Sequence, residues 1–163
     1  MIISRTPFRI SFFGGGTDYP QWYREHGGSV ISATINKYSF ITARRLPPFF
    51  DYRYRIRYYE TEETSTVADI RHPSARECLK LFDFEDGLEI VHHADLPARS
   101  GLGSSSTFTV GLLNALAGLE NQMVSKKELA LRAIQVEQDL IGEAVGSQDQ
   151  TAAAFGGFNR IDF

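Results

Sequence analysis

DLPARSGLGSSSTF, residues 95–108, joins EIVHHAD (89–95), which reads as a strand, to TVGLLNALAGL (109–119), which reads as a helix. The junction holds a proline, two glycines and three consecutive serines. The first backbone N–H groups of a helix lack internal partners, and the helix dipole adds partial positive charge there. Glycines let the main chain approach an anion closely, and serine hydroxyls add donors and an oxygen ligand for a cation. One reading is an anion seat at a helix N-terminus. The other is a well-capped helix after an ordinary loop. The stretch lacks the Gly-Lys-Ser/Thr ending of a P-loop and is not G-x-G-x-x-G.

Downstream the chain is helical. TFTVGLLNALAGL is apolar on nearly all sides, which predicts a buried helix. Ser125 and Glu128 form an S-x-x-E capping box that opens a helix over 126–144. Ala130, Ala133, Ile134, Glu137 and Ile141 fall on one face of it, so Glu137 is a carboxylate on an apolar stripe. Burying such a group requires a cation, a cluster of donors or a cleft; an edge position reaching solvent is the alternative. Ser147 and Gln150 form a second box, opening a helix with Asp149 in its first turn. Asp149 is either a helix-start acid or a general base near the same cleft. FNRIDF (158–163) alternates like a strand.

Upstream, RISFFGG (9–15) reads as a strand running into a glycine turn, followed by a short helix over 20–27. SVISATI (29–35) and YSFITARRL (38–46) read as two strands with a tight link at Asn36–Lys37. RYRIRYYE (53–60) alternates as a half-exposed strand, TEETSTVAD (61–69) is a polar surface segment, and SARECLKLFDF (74–84) is a helix. Gly14, Gly15 and Gly16 allow a close backbone approach to a small polar ligand. Asp18 binds a pair of sugar hydroxyls or closes an Asx-type turn. Arg9 is a buried cation for phosphate or an outward-facing strand residue. His92 and His93 are adjacent on a strand, point to opposite faces and have no partner at ligand spacing, so they are read as structural. Strands come mostly first and helices mostly later, which predicts an α+β domain with helices on one face of a sheet.

The 163 residues suit one domain with a real core. Net charge is −3, against a nucleic-acid partner, and the single cysteine, Cys78, fits a reducing compartment. No run is long enough to span a membrane and no signal peptide is read, so a cytoplasmic protein is expected.

Three segments carry a resemblance. PARSGLGSSSTF resembles the phosphate-binding signature of the GHMP small-molecule kinases, P-x-x-x-G-L-G-S-S followed by Ala or Ser. TPFRISFFGGGTDYP is similar to their N-terminal substrate motif, and EQDLIGEAVGSQDQ to the segment with their Mg²⁺-binding glutamate and catalytic aspartate. The wording is closest to the bacterial D-glycero-D-manno-heptose 7-phosphate kinase branch. The resemblance implies an α+β domain similar to domain 2 of ribosomal protein S5, with a mixed sheet, helices on one face and a left-handed crossover. It implies ATP and Mg²⁺ as cofactors and transfer to the anomeric hydroxyl of a sugar phosphate, in surface-polysaccharide precursor synthesis. Pro97, Gly101, Leu102, Gly103, Ser104, Ser105 and Ser106 would bind the nucleotide phosphates, and Ser105 and Glu137 would ligate Mg²⁺. Asp149 would take or orient the proton of the attacking hydroxyl, with Arg9 assisting. Gly14, Gly15, Gly16, Thr17 and Asp18 would hold the sugar.

Galactokinases carry an acidic residue and a histidine where Gly15 and Gly16 stand, which implies a bulkier or phosphorylated sugar here. Ser147 replaces a lysine expected in the heptose branch. Such kinases have a second domain of similar size, so residues 1–163 are expected to be the N-terminal half. A non-catalytic binding module of the same fold is the alternative. An apolar face left bare by the missing half predicts self-association.

Overall fold

The structure, a computed structural model, describes residues 1–84, 86–98 and 100–163. Arg99, inside the glycine–serine motif, lies outside the described residues. The elements run β1 (Ile2–Phe13), α1 (Pro20–His26), β2 (Ser29–Arg45), β3 (Tyr54–Arg57), β4 (Thr61–Thr64), α2 (Pro73–Leu81), β5 (Leu88–Ala94), α3 (Ser104–Leu119), α4 (Lys126–Gln135), α5 (Gln148–Phe155) and β6 (Phe158–Asp162). One mixed sheet has the order β1-β2-β5-β3-β4, with β6 also paired to β2. β3 and β5 are parallel and the other pairs antiparallel. This is the α+β arrangement expected.

α3 is the central helix. Phe108, Val110, Leu112, Leu113, Ala115 and Leu116 are all buried against Ile41, Ala43, Ile56 and Ile90 of the sheet and Leu79 of α2. Each such Leu or Phe contributes about 1.5–3 kcal/mol of burial. The approach is close because residue 111 is a glycine: a Cβ there would meet Thr6 Oγ1 at 2.8 Å. Ser4 Oγ donates to Gly111 O at 2.7 Å, so β1 docks on the helix through a polar contact as well.

Three expectations about local structure are corrected. Residues 29–45 form one strand, not two. Pro7 pairs with Tyr38 and Arg9 with Thr34, so Asn36 and Lys37 are absorbed in a bulge while both halves stay hydrogen-bonded to β1. Residues 61–64 form a strand, because Glu62 turns inward and is buried. The helix from Lys126 ends at Gln135 and continues as one π turn, Val136–Leu140, with Ile141 N–H bonding Val136 O. The extra residue lets consecutive Val136 and Glu137 both face inward.

The other side of the sheet is uneven. Glu89 is paired there with Arg44 and Arg55, which Phe50 and Tyr52 flank. Towards β6, Phe12, Phe13 and Phe158 are exposed. Among the described residues, no helix is long and apolar enough to cross a membrane.

Candidate active site

The bulge of β2 opposite Phe8 decides where Arg9 points. Ser4, Thr6 and Phe8 are buried in alternation, and Arg9 follows Phe8 onto the sheltered side. Its side chain is 11% exposed. There Arg9 Nε and Nη2 donate to the two carboxylate oxygens of Asp149, each at 2.7 Å. Arg9 Nη1 donates to Gly101 O at 2.9 Å and Arg9 N to Leu102 O at 3.2 Å. One arginine thus binds the glycine–serine loop on one side and the start of α5 on the other. A planar guanidinium does this because its donors form a fixed fork.

The loop turns through two left-handed glycines, Gly101 at φ +75° and Gly103 at φ +78°. Gly103 is the residue before α3 and caps it with no side chain. A Cβ at Gly103 would sit 3.4 Å from both Arg9 Cγ and Asp149 Oδ2. The first turn of α3 therefore opens beside the Arg9–Asp149 pair, as an anion seat requires.

Burial pushes the Asp149 carboxyl above its usual value. Arg9 works against that, and the negative charge of Asp18 adds to it. This is a carboxylate biased towards taking up a proton.

Glu137 does not reach solvent: it is 1% exposed. Ser106 Oγ donates to Glu137 Oε2 at 2.9 Å, and Gln150 Nε2 donates to the same oxygen. Oε1 has no partner among the described residues. Burial drives the Glu137 carboxyl upward, against the hydroxyls of Thr109 and Ser106 and the Gln150 amide. A carboxylate beneath an anion seat with one orphaned oxygen fits a divalent cation. The hydroxyl brought to Glu137 is that of Ser106, whereas Ser105 is exposed at the rim of a cavity. Pro97 is exposed on the approach to the loop.

The expected S-x-x-Q box at Ser147 does not form. Ser147 Oγ accepts from Gln138 Nε2 at 3.1 Å instead, and Gln150 is drawn inward by the buried Glu137, which needs donors more than an accessible helix end does.

In the glycine turn, Thr17 N and Oγ1 both donate to Gly14 O. Asp18 is 1% exposed, and its oxygens accept from Gly16 N at 3.0 Å and Gln148 N at 3.2 Å. The Asx-type turn, one of the two readings of Asp18, does not form: the Gly16 N–H precedes Asp18, and the residue two places after it, Pro20, has no N–H to give. The bond to Gln148 ties the N-terminal turn to the helix that carries Asp149.

Two cavities flank the loop. One of about 440 Å³ is lined by Arg9, Gly14, Gly15, Gly101, Leu102 and Gln148, with Ile10, Ser11, Phe12 and Phe13. The other, about 830 Å³, reaches Ser104 and Ser105 from the opposite side and is walled by Tyr58, His72, His92 and Phe108. His72 stacks on Phe108 with ring centroids 4.4 Å apart, and His92 meets it edge-on. Burial holds both rings below the usual histidine range, His92 at about 4. His92 Nε2 also lies 3.0 Å from Ser39 Oγ. Sequence reasoning missed this wall because it is assembled from the residue after β3, the N-cap of α2, β5 and α3, with no spacing to link them. It also missed Gln148 and the partnership of Ser106 with Glu137.

Residues 71–157 match the family described as GHMP kinases N terminal domain. The D-glycero-alpha-D-manno-heptose 7-phosphate kinase of Campylobacter jejuni is 33% identical over 99% of this chain and 50% of its own length. A galactokinase of Pyrococcus furiosus is 27% identical over 99% of this chain and 46% of its own. Among solved structures, a D-glycero-D-manno-heptose 1-phosphate kinase from Bacteroides thetaiotaomicron superposes with a TM-score of 0.86 and 29% identity, over 100% of this chain and 56% of that one. The chain spans about half the length of the curated relatives it matches. The matched segment contains the glycine–serine loop, Glu137 and Asp149, and by that match the chain belongs to the GHMP kinases.

Proposed function

We propose that the protein transfers the γ-phosphoryl group of ATP to the anomeric hydroxyl of a sugar phosphate, D-glycero-D-manno-heptose 7-phosphate, giving the 1,7-bisphosphate. The observation that carries this is the placement of the Arg9–Asp149 pair at the glycine–serine loop, between an 830 Å³ cavity and a 440 Å³ one. A nucleotide fits the larger cavity, its base against the wall that Tyr58, His72 and His92 present and its phosphates at the first turn of α3. The smaller cavity suits the sugar, beside Gly14–Gly16. Thr17 and Asp18 hold that turn in shape.

Asp149 orients the attacking hydroxyl and receives its proton as the new O–P bond forms and the bond to the ADP oxygen breaks. Arg9 fixes Asp149 by two bonds and brings positive charge to the site. Glu137, with the Ser106 hydroxyl beside it and that of Ser105 at the cavity rim, would hold Mg²⁺, which supplies charge neutralisation at the phosphates when bound. Catalysis is positioning and electrostatic stabilisation, with little covalent work for the protein. One cysteine and ATP as cosubstrate favour the cytoplasm.

The heptose assignment is favoured by the two heptose phosphate kinases above and by glycines at 15 and 16, which leave the turn without bulk. The test is phosphorus NMR of the full-length protein with ATP, Mg²⁺ and, separately, heptose 7-phosphate, galactose and mevalonate. The expected product is an anomeric phosphate from the heptose, with kcat/KM at least about 100-fold above the other two. Equal or better turnover of galactose or mevalonate overturns the assignment.

A further inference from the structure

The 440 Å³ cavity has few polar side chains free to recognise a ligand. Ile10, Phe12, Phe13 and Leu102 are apolar, and Gly14, Gly15 and Gly101 bring no side chain. Arg9 is committed through Nε and Nη2 to Asp149 and through Nη1 to Gly101 O. The remaining polar side chains in the lining are Ser11 and Gln148. Both approach Gly15: Gln148 Nε2 and Ser11 Oγ each lie 3.8 Å from the point a Cβ at residue 15 would occupy.

Gln148 is held from behind, its backbone N–H donating to Asp18 Oδ2. Its Oε1 is shut off from water and accepts no hydrogen bond among the described residues. The amide atom that faces the space at Gly15 is Nε2, and an unpaired buried Oε1 favours any turn of the carboxamide that brings it to a ligand donor. The next residue is Asp149, so the carboxamide stands immediately beside the group that handles the reacting hydroxyl.

We propose that Gln148 is a specificity-determining residue of this cavity: its carboxamide hydrogen-bonds a sugar hydroxyl other than the one phosphorylated, across the space that the bare Gly15 leaves. This rests on the cavity being the sugar's. A residue at 15 with a side chain would fill that space and do the recognising itself. With glycine there, the task passes to Gln148 and Ser11. A site built to hydrogen-bond a hydroxyl discriminates strongly against an analogue that lacks it.

The test uses the full-length protein and compares wild type, Gln148→Met, which keeps the length and loses the amide, and Gln148→Glu, which keeps size and acceptor. Steady-state kinetics are run with ATP and the sugar phosphate, then with its monodeoxy analogues, alongside thermal melts. Gln148→Met is expected to lower kcat/KM for the sugar about 10–100-fold through KM, leaving KM for ATP within twofold. Gln148→Glu is expected to recover part of the loss. At one ring position wild type should lose a similar factor on deoxygenation while Gln148→Met loses none. An unchanged sugar KM in Gln148→Met overturns the proposal, as does an equal loss with every analogue in both proteins. Failure of wild type to phosphorylate any sugar phosphate overturns the functional reading instead, and this proposal with it.

Discussion

Gly146→Ala tests how tightly the glycine turn and the catalytic helix are coupled. A Cβ at residue 146 would fall 1.8 Å from Asp18 Oδ2, 2.5 Å from its Cγ and 3.0 Å from Oδ1. Real carbon–oxygen contacts exceed about 3 Å, so something must move by more than about 1 Å. Asp18 has no room to retreat, being 1% exposed. If its carboxylate swings away, the bonds from Gly16 N and Gln148 N are lost. At about 1.5–3 kcal/mol for each bond to a charged group, the cost is about 3–6 kcal/mol. If the backbone shifts instead, Asp149 three residues on moves with it, and a displacement of about 1 Å costs about 100-fold in rate. Urea denaturation and kcat on the same samples read both routes. Asp18→Ala vacates the space, so Gly146→Ala in that background should cost under about 1 kcal/mol, a strongly non-additive cycle. Equal costs of Gly146→Ala in both backgrounds would refute the steric coupling.

Further outcomes follow from the same geometry. Replacing Arg9 by Met removes the charge that lowers the Asp149 carboxyl, so the acid limb of the kcat/KM profile should move to higher pH as activity falls; a limb that stays or moves down contradicts the pairing. The Glu137 carboxyl is raised in the fold, so its ionisation opposes folding, and that penalty grows as pH rises above the unfolded value near 4.5. Glu137→Gln should therefore gain in unfolding free energy relative to wild type between pH 4 and 8, while losing at least about 100-fold in kcat; a gap independent of pH would contradict this. Glu62 behaves oppositely. Burial pushes it up, but the N–H groups of Arg71 and His72 and the Tyr58 hydroxyl bring it below its usual value. The stability it contributes is present above about pH 4.5 and lost as pH falls through the folded value. Glu62→Gln should flatten that acid loss by calorimetry and raise KM for ATP, since Tyr58 and His72 wall the larger cavity.

Sequence made some of this legible and hid the rest for physical reasons. The helix after the glycine–serine loop was readable because nearly every position is apolar, and only a buried central helix tolerates that. The Ser125 cap was readable because the bond from Glu128 N is local. The conflict at Glu137 was visible as a charge on an apolar stripe, but its partners were not: Ser106 is 31 residues away and Gln150 is 13. The continuity of β2 was hidden because Asn36–Lys37 looks like a turn until β1 pairs on both sides of it. Arg9 looked like either a buried or an outward residue, and a bulge that no local pattern announces decides between them. The aromatic wall of the larger cavity had no signature at all, being shared among four segments.

The central claim is that Asp149, held by Arg9, handles the proton of a sugar hydroxyl in transfer from ATP. The most direct measurement is a single-turnover assay of full-length Asp149→Asn with ATP, Mg²⁺ and heptose 7-phosphate, paired with calorimetric titration of ATP. The account predicts that transfer falls by at least about 1,000-fold while ATP affinity stays within about threefold. Transfer at the wild-type rate would contradict it.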